Sequence, residues 1–95
     1  RGKTRKWKRD RNGAMNDYQK AIELNPLLTE AWYNLGWMKY DQGNYREAIQ
    51  NFDKAIQINP GYAPAYNVRA WAKEDMGDVT GAQSDQKKYK ELTGF

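Results

Sequence analysis

Ninety-five residues with a formal net charge of +4 make one small domain, and a chain this short needs a repetitive or well idealised core. Cysteine and histidine are both absent, which excludes disulfides, zinc–cysteine sites and thiol nucleophiles and removes the commonest general base, metal ligand and pH switch. No apolar run approaches the roughly 20 residues of a membrane span, and no signal-peptide pattern of basic, apolar and small segments appears.

The chain opens on RGKTRKWKRDR, and most of its positive charge is there. Residues 1–20 hold eight Lys/Arg against two Asp, a balance of +6, whereas residues 21–95 hold eight Lys/Arg against ten Asp/Glu, a balance of −2. Clustered cations around Trp7 suit an arm for nucleic acid or an acidic peptide. A solvated half-helix is the plainer account and the favoured one, because the repeat described next runs through the segment. The start at Arg1 rather than methionine reads as a fragment or a processed piece.

KAIELNP (Lys20–Pro26) returns as KAIQINP (Lys54–Pro60), 34 residues later. Ala14, Ala48 and Ala82 keep the same offset, as do Gly2, Gly36 and Ala70, Gly43 and Gly77, and Trp37 and Trp71. A fixed period in this range marks a solenoid of stacked supersecondary units. TEAWYNLGWMKYDQ predicts a helix closed by Gly43, a residue suited to a left-handed C-cap. NYREAIQNFDKAIQIN predicts a second, opened by Asn44 with Glu47 three residues on, in the manner of a capping box. Ala48, Ile49, Phe52, Ala55 and Ile56 follow helical spacing, and Pro60 stops the helix at Asn59. The next helix begins near Ala63 with Pro64 in its first turn. The last, TGAQSDQKKYKEL, has Gln86 and Lys90 where the middle unit has Phe52 and Ile56, as expected of a polar terminal cap.

These residues resemble the tetratricopeptide repeat, W-x2-L-G-x2-Y…A-x3-F…P. The middle unit supplies Trp32, Leu35, Gly36, Ala48, Phe52, Ala55 and Pro60, departing at Lys39, with Tyr40 beside it. The third keeps Tyr66, Ala70, Gly77 and Ala82 but has Arg69 for the leucine and Gln86 for the aromatic. The first keeps Gly2, Ala14, Tyr18, Ala21 and Pro26 and lacks the front of its first helix. The resemblance implies an all-α solenoid of antiparallel helix pairs in a right-handed superhelix. Its units are residues 1–28, 29–62 and 63–95, with the last helix as a cap. Small residues would let helices approach, and Trp32, Tyr66, Tyr18 and Phe52 would fill the space between them. Tyr18, Ala21 and Ile22 should then have an incompletely covered face, so either the first segment frays over it or another chain covers it.

In this family the first helices of successive units line a concave surface that holds a peptide. On the middle first helix, Tyr33, Trp37 and Tyr40 form a stripe at i, i+4, i+7, away from the motif residues. Asn67, Trp71 and Glu74 occupy the same stripe one unit later, and Lys3 and Lys6 one unit earlier. The expected contact residues are therefore Tyr33, Asn34, Trp37, Tyr40, Asn67 and Trp71, with Lys3 and Lys6 favouring an acidic flank. The competing account is that the tryptophans pack on neighbouring helices and thicken the core. The carboxylate clamp that some family members use for chaperone tails is missing: Asn34 matches it, but Pro64, Val68 and Lys3 replace three other members, and the position of the first lysine lies before Arg1. Glu74 and Asp75 would stand at the end of the groove opposite Lys3 and Lys6, and like Asp10 and Asp17 they lack partners for chemistry and read as surface charge. With no phosphate loop, metal-spaced carboxylates or catalytic pair, the chain is expected to be a non-catalytic module. It would take a protein or peptide partner and need no cofactor, metal or small-molecule substrate. Self-association through the first unit is the alternative, and nucleic acid the lesser one.

Overall fold

The computed structural model describes residues 11–94. It forms α1 (Arg11–Leu24), α2 (Thr29–Asp41), α3 (Tyr45–Ile58), α4 (Ala63–Asp75) and α5 (Val79–Thr93). No strand occurs among the described residues. Helix α2 packs on α3 and α4 on α5, while α3 packs on α4, α1 on α2, and α2 also touches α4. Pairs of helices stacked on one another in this way are an all-α solenoid.

Within each pair, the turn follows from one glycine. Gly43 has φ +87° and Gly77 φ +90°, a region closed to most side chains. Each makes a Schellman turn. Gly43 N–H donates to Tyr40 O at 2.9 Å and Asn44 N–H to Lys39 O at 2.9 Å. Gly77 N–H donates to Glu74 O at 2.9 Å and Asp78 N–H to Lys73 O at 2.8 Å. Between pairs, proline sets the break. Asn59 is extended at φ −136°, ψ 90°, and Pro64 sits in the first turn of α4. An aromatic side chain then ties the junction: Trp32 Nε1 donates to Pro26 O at 2.9 Å, and Tyr66 Oη to Pro60 O at 2.8 Å. The two bonds are one repeat apart.

The capping box expected at Asn44 does not form. Asn44 makes no side-chain cap to α3, and its N–H is already committed to Lys39 O in the Schellman turn. Glu47 pairs instead with Lys39 Nζ at 2.8 Å. The equivalent residue of the next unit does cap, with Asp78 Oδ1 accepting from Gly81 N–H at 3.0 Å.

The core runs through Ala48, Phe52, Ala55, Ala65, Val68 and Ala72, all buried. Phe52 is fully enclosed and lies against Gly36, where an added Cβ would stand 2.8 Å from its ring. One unit later Gln86 replaces Phe52, and the glycine becomes Ala70, itself fully buried.

Arg69, in the leucine position, is the second departure. Its guanidinium donates to Asp85 Oδ1 at 2.6 Å and Oδ2 at 2.9 Å, and to Asp53 Oδ1 at 2.6 Å. Asp85 is 4% exposed, and Lys73 Nζ reaches it at 3.2 Å. Burial alone would lower the Arg69 pKa, but hydrogen bonds to Asp85 and Asp53 outweigh it and raise it above the ordinary arginine value. A largely buried ion pair thus joins α4 to α5, and the exposed Asp53 extends it to α3, where the middle unit uses a leucine.

Candidate functional site

The seam between α2 and α4 gathers aromatic side chains. Tyr33, Trp37 and Tyr40 come from one stripe of α2 and Trp71 from the matching stripe of α4. The Trp37 and Trp71 ring centroids are 6.0 Å apart, tilted by 53°. Tyr40 lies stacked on Trp37 at 5.5 Å and 14° and stands 6.2 Å from Trp71. Tyr33 makes an edge contact with Tyr62 at 5.4 Å and tilts over Phe52 at 5.8 Å.

Burial separates these residues into two sets. Tyr40 is 6% exposed and belongs to the core cluster, so it backs the tryptophans and offers a partner little surface. Trp37, Trp71, Tyr33, Asn34 and Asn67 are part-buried. The tryptophans therefore both pack on each other and keep some surface. Lys3 and Lys6 lie outside the described residues.

Asp75 is more than surface charge: its Oδ2 accepts the Tyr40 hydroxyl at 3.0 Å. Tyr40, Asp41, Gln42, Gly43, Tyr45 and Asp75 enclose a cavity of about 140 Å³ at this end of the seam. At the other end, burial raises the Tyr33 pKa, with Tyr62 and Tyr89 adding to it. Burial also raises that of Tyr62, with the Glu30 charge adding.

Sequence patterning alone did not find Tyr62 or Tyr45. Tyr62 has Leu28 as its counterpart one unit earlier and Tyr45 has Val79 one unit later, so the repeat gives no signal for either. Asp75, placed by the sequence at the far end of the groove, follows Asp41 at the 34-residue offset. Pro64 sits in the first turn of α4 and Val68 is buried, so neither carboxylate-clamp position of α4 presents a cation. Among the described residues, no group of three or more His, Cys, Asp or Glu could hold a metal ion. No described helix is long and apolar enough to cross a membrane.

Residues 29–62 match the family model of the tetratricopeptide repeat. Among solved structures, a crystal structure of MamA is 32% identical, with a TM-score of 0.84 over 88% of this chain and 49% of the MamA chain. A second MamA crystal structure, also 32% identical, has a TM-score of 0.82 over 88% of this chain and 46% of its own. A MamA MSR-1 structure is 28% identical, with a TM-score of 0.80 over 87% of this chain and 48% of its own. This chain thus spans about half the length of the solved chains it matches. Among curated proteins none matches it.

Proposed function

We propose, from the match of residues 29–62 to the tetratricopeptide repeat and the likeness to MamA, which support a protein-interaction scaffold, that the chain binds a peptide or partner segment along the α2–α4 seam, without catalysis. The observation that carries this reading is the pairing of Trp37 with Trp71, 6.0 Å apart and both part-buried, from the same position of successive units. Large, rigid aromatic side chains with residual surface are the usual anchors of an interface, worth about 2 kcal/mol or more each. In this reading Trp37, Trp71 and Tyr33 supply apolar contact, and Tyr40 holds the tryptophans from behind. Asn34 and Asn67 hydrogen-bond the partner backbone, and Lys3 and Lys6 favour an acidic flank at the first unit.

The test is partner capture by the wild type and by Trp37→Ala/Trp71→Ala, with helix content followed by circular dichroism. Capture should fall at least tenfold while helix content holds. Undiminished capture would sink the reading.

Self-assembly through the first unit is the second reading, supported by Leu24 and Leu27, which are 84% and 73% exposed. It requires a molecular mass that rises with concentration and survives loss of Trp37. Binding of an anionic partner by residues 1–11 is a lesser reading, and it would weaken steeply with salt.

A further inference from the structure

Among the described residues α1, α3 and α5 do not touch one another; each packs on α2 or α4. The face they form therefore carries a groove between each successive pair. The first groove opens into a cavity of about 410 Å³, lined by Pro26 and Leu27 of the α1–α2 connection and by Lys54, Gln57 and Ile58 of α3. Leu27 on its wall and Leu24, three residues before it, are largely exposed. The second groove repeats part of this lining. Lys88 and Glu91 stand one unit after Lys54 and Gln57, in a cavity of about 350 Å³ that also takes in Lys87.

This face has a sign. Lys20, Lys54 and Lys88 recur at the 34-residue offset, each four residues before a large aliphatic side chain, Leu24, Ile58 and Leu92. On a helix that spacing sets cation and aliphatic side by side. None of the three lysines makes an ion pair with a described residue, whereas every cation of α2 and α4 does: Lys39 with Glu47, Arg69 with Asp53 and Asp85, Lys73 with Asp85. Lys54 Nζ stands 5.8 Å from the centroid of Trp32, a cation–π contact that holds its stem in place at the cavity. No acid lines the first cavity, while Glu91 offsets part of the charge in the second.

We propose that the α1–α3 groove docks an acidic amphipathic segment of a partner protein. An apolar side chain enters between Leu27 and Ile58, a carboxylate meets Lys54, and a further carboxylate reaches toward Lys87 and Lys88. Charge selects this occupant over two others. Residues 1–20 carry a balance of +6, and the same face of a second copy would set lysine against lysine. The surface shares no residue with the α2–α4 seam, so the chain would hold two partners on two faces.

The experiment is calorimetric titration of the full chain with three helical peptides that share one leucine stripe and carry Glu, Gln or Lys beside it. The Glu peptide should bind about tenfold tighter than the Gln peptide and the Lys peptide weakest, with the spread closing as salt is raised. Lys54→Gln/Lys88→Gln should bring the Glu peptide to within about twofold of the Gln peptide. Leu27→Ser should weaken both by about fivefold or more, with helix content unchanged because the side chain is exposed. Trp37→Ala/Trp71→Ala should leave the titration as it is. Loss of the Glu peptide in that tryptophan variant, with Leu27→Ser binding normally, would place the peptide in the seam and overturn the proposal. Equal binding of the Glu and Lys peptides overturns it as well. A molecular mass that rises with concentration and depends on Leu27, without peptide binding, would give the face to a second copy. Uptake by anionic lipid vesicles that depends on Leu27, again without peptide binding, would give it to a membrane surface. Either result overturns the proposal, as does a wild type that takes up no Glu peptide.

Discussion

Arg69 shows how one side chain can stand in for a different chemistry. Its bidentate bond to Asp85 puts a charge where the middle unit has Leu35, and Asp85 is too buried to be left alone. Arg69→Leu should therefore destabilise the domain by about 3 kcal/mol, despite restoring the motif residue, because it leaves a buried carboxylate poorly compensated. Arg69→Leu/Asp85→Asn should recover much of that loss in chemical denaturation. Gly36 is constrained by shape: alanine there would press on Phe52, at an expected cost of about 1–3 kcal/mol in the same assay. Tyr33 carries a pH dependence. Its folded-state pKa is raised above 10.0, so folding favours the protonated phenol. The stabilisation is complete below about pH 10 and is lost as pH rises through the folded value. Tyr33→Phe should flatten the fall in stability between about pH 9 and pH 11, leaving the share due to Tyr62.

At the scale of elements, two superficially equal helix starts differ. Asp78→Ala should cost about 1 kcal/mol by removing the bond to Gly81 N–H, whereas Asn44→Ala should cost a few tenths, since Asn44 makes no side-chain cap. Thermal melts of the two variants check the contrast. These differences also mark what the sequence could reveal. The helix ends at Gly43 and Asn59 were legible because glycine and proline act on their own neighbours. The stripe of Tyr33, Trp37 and Tyr40 was legible because helical spacing is local. The Arg69 ion pairs were not: Asp53 and Asp85 lie 16 residues to either side, on other helices. The burial of Tyr40 was hidden too, because it depends on Trp71 and Tyr45 closing over it. The capping box failed because the same backbone N–H was already claimed by the preceding turn.

For the whole molecule, extents of 33 × 28 × 21 Å leave little interior, and each pair leans on the next rather than on a common centre. The 34-residue offset disclosed that architecture, since neither pair buries its apolar face alone. The same economy has a kinetic side, visible in the bonds that tie the junctions. Trp32 reaches back only six residues to Pro26, and Tyr66 six to Pro60. Closing so short a loop costs little entropy, and it takes about 10–100 ns. Each corner can then form before the helices it joins are packed, and nucleation is free to begin at either one. Stopped-flow refolding should show a fast phase, in the microsecond-to-millisecond range of helical proteins with local contacts. Trp32→Phe should slow that phase more than it speeds unfolding, the mark of a contact already made at the barrier.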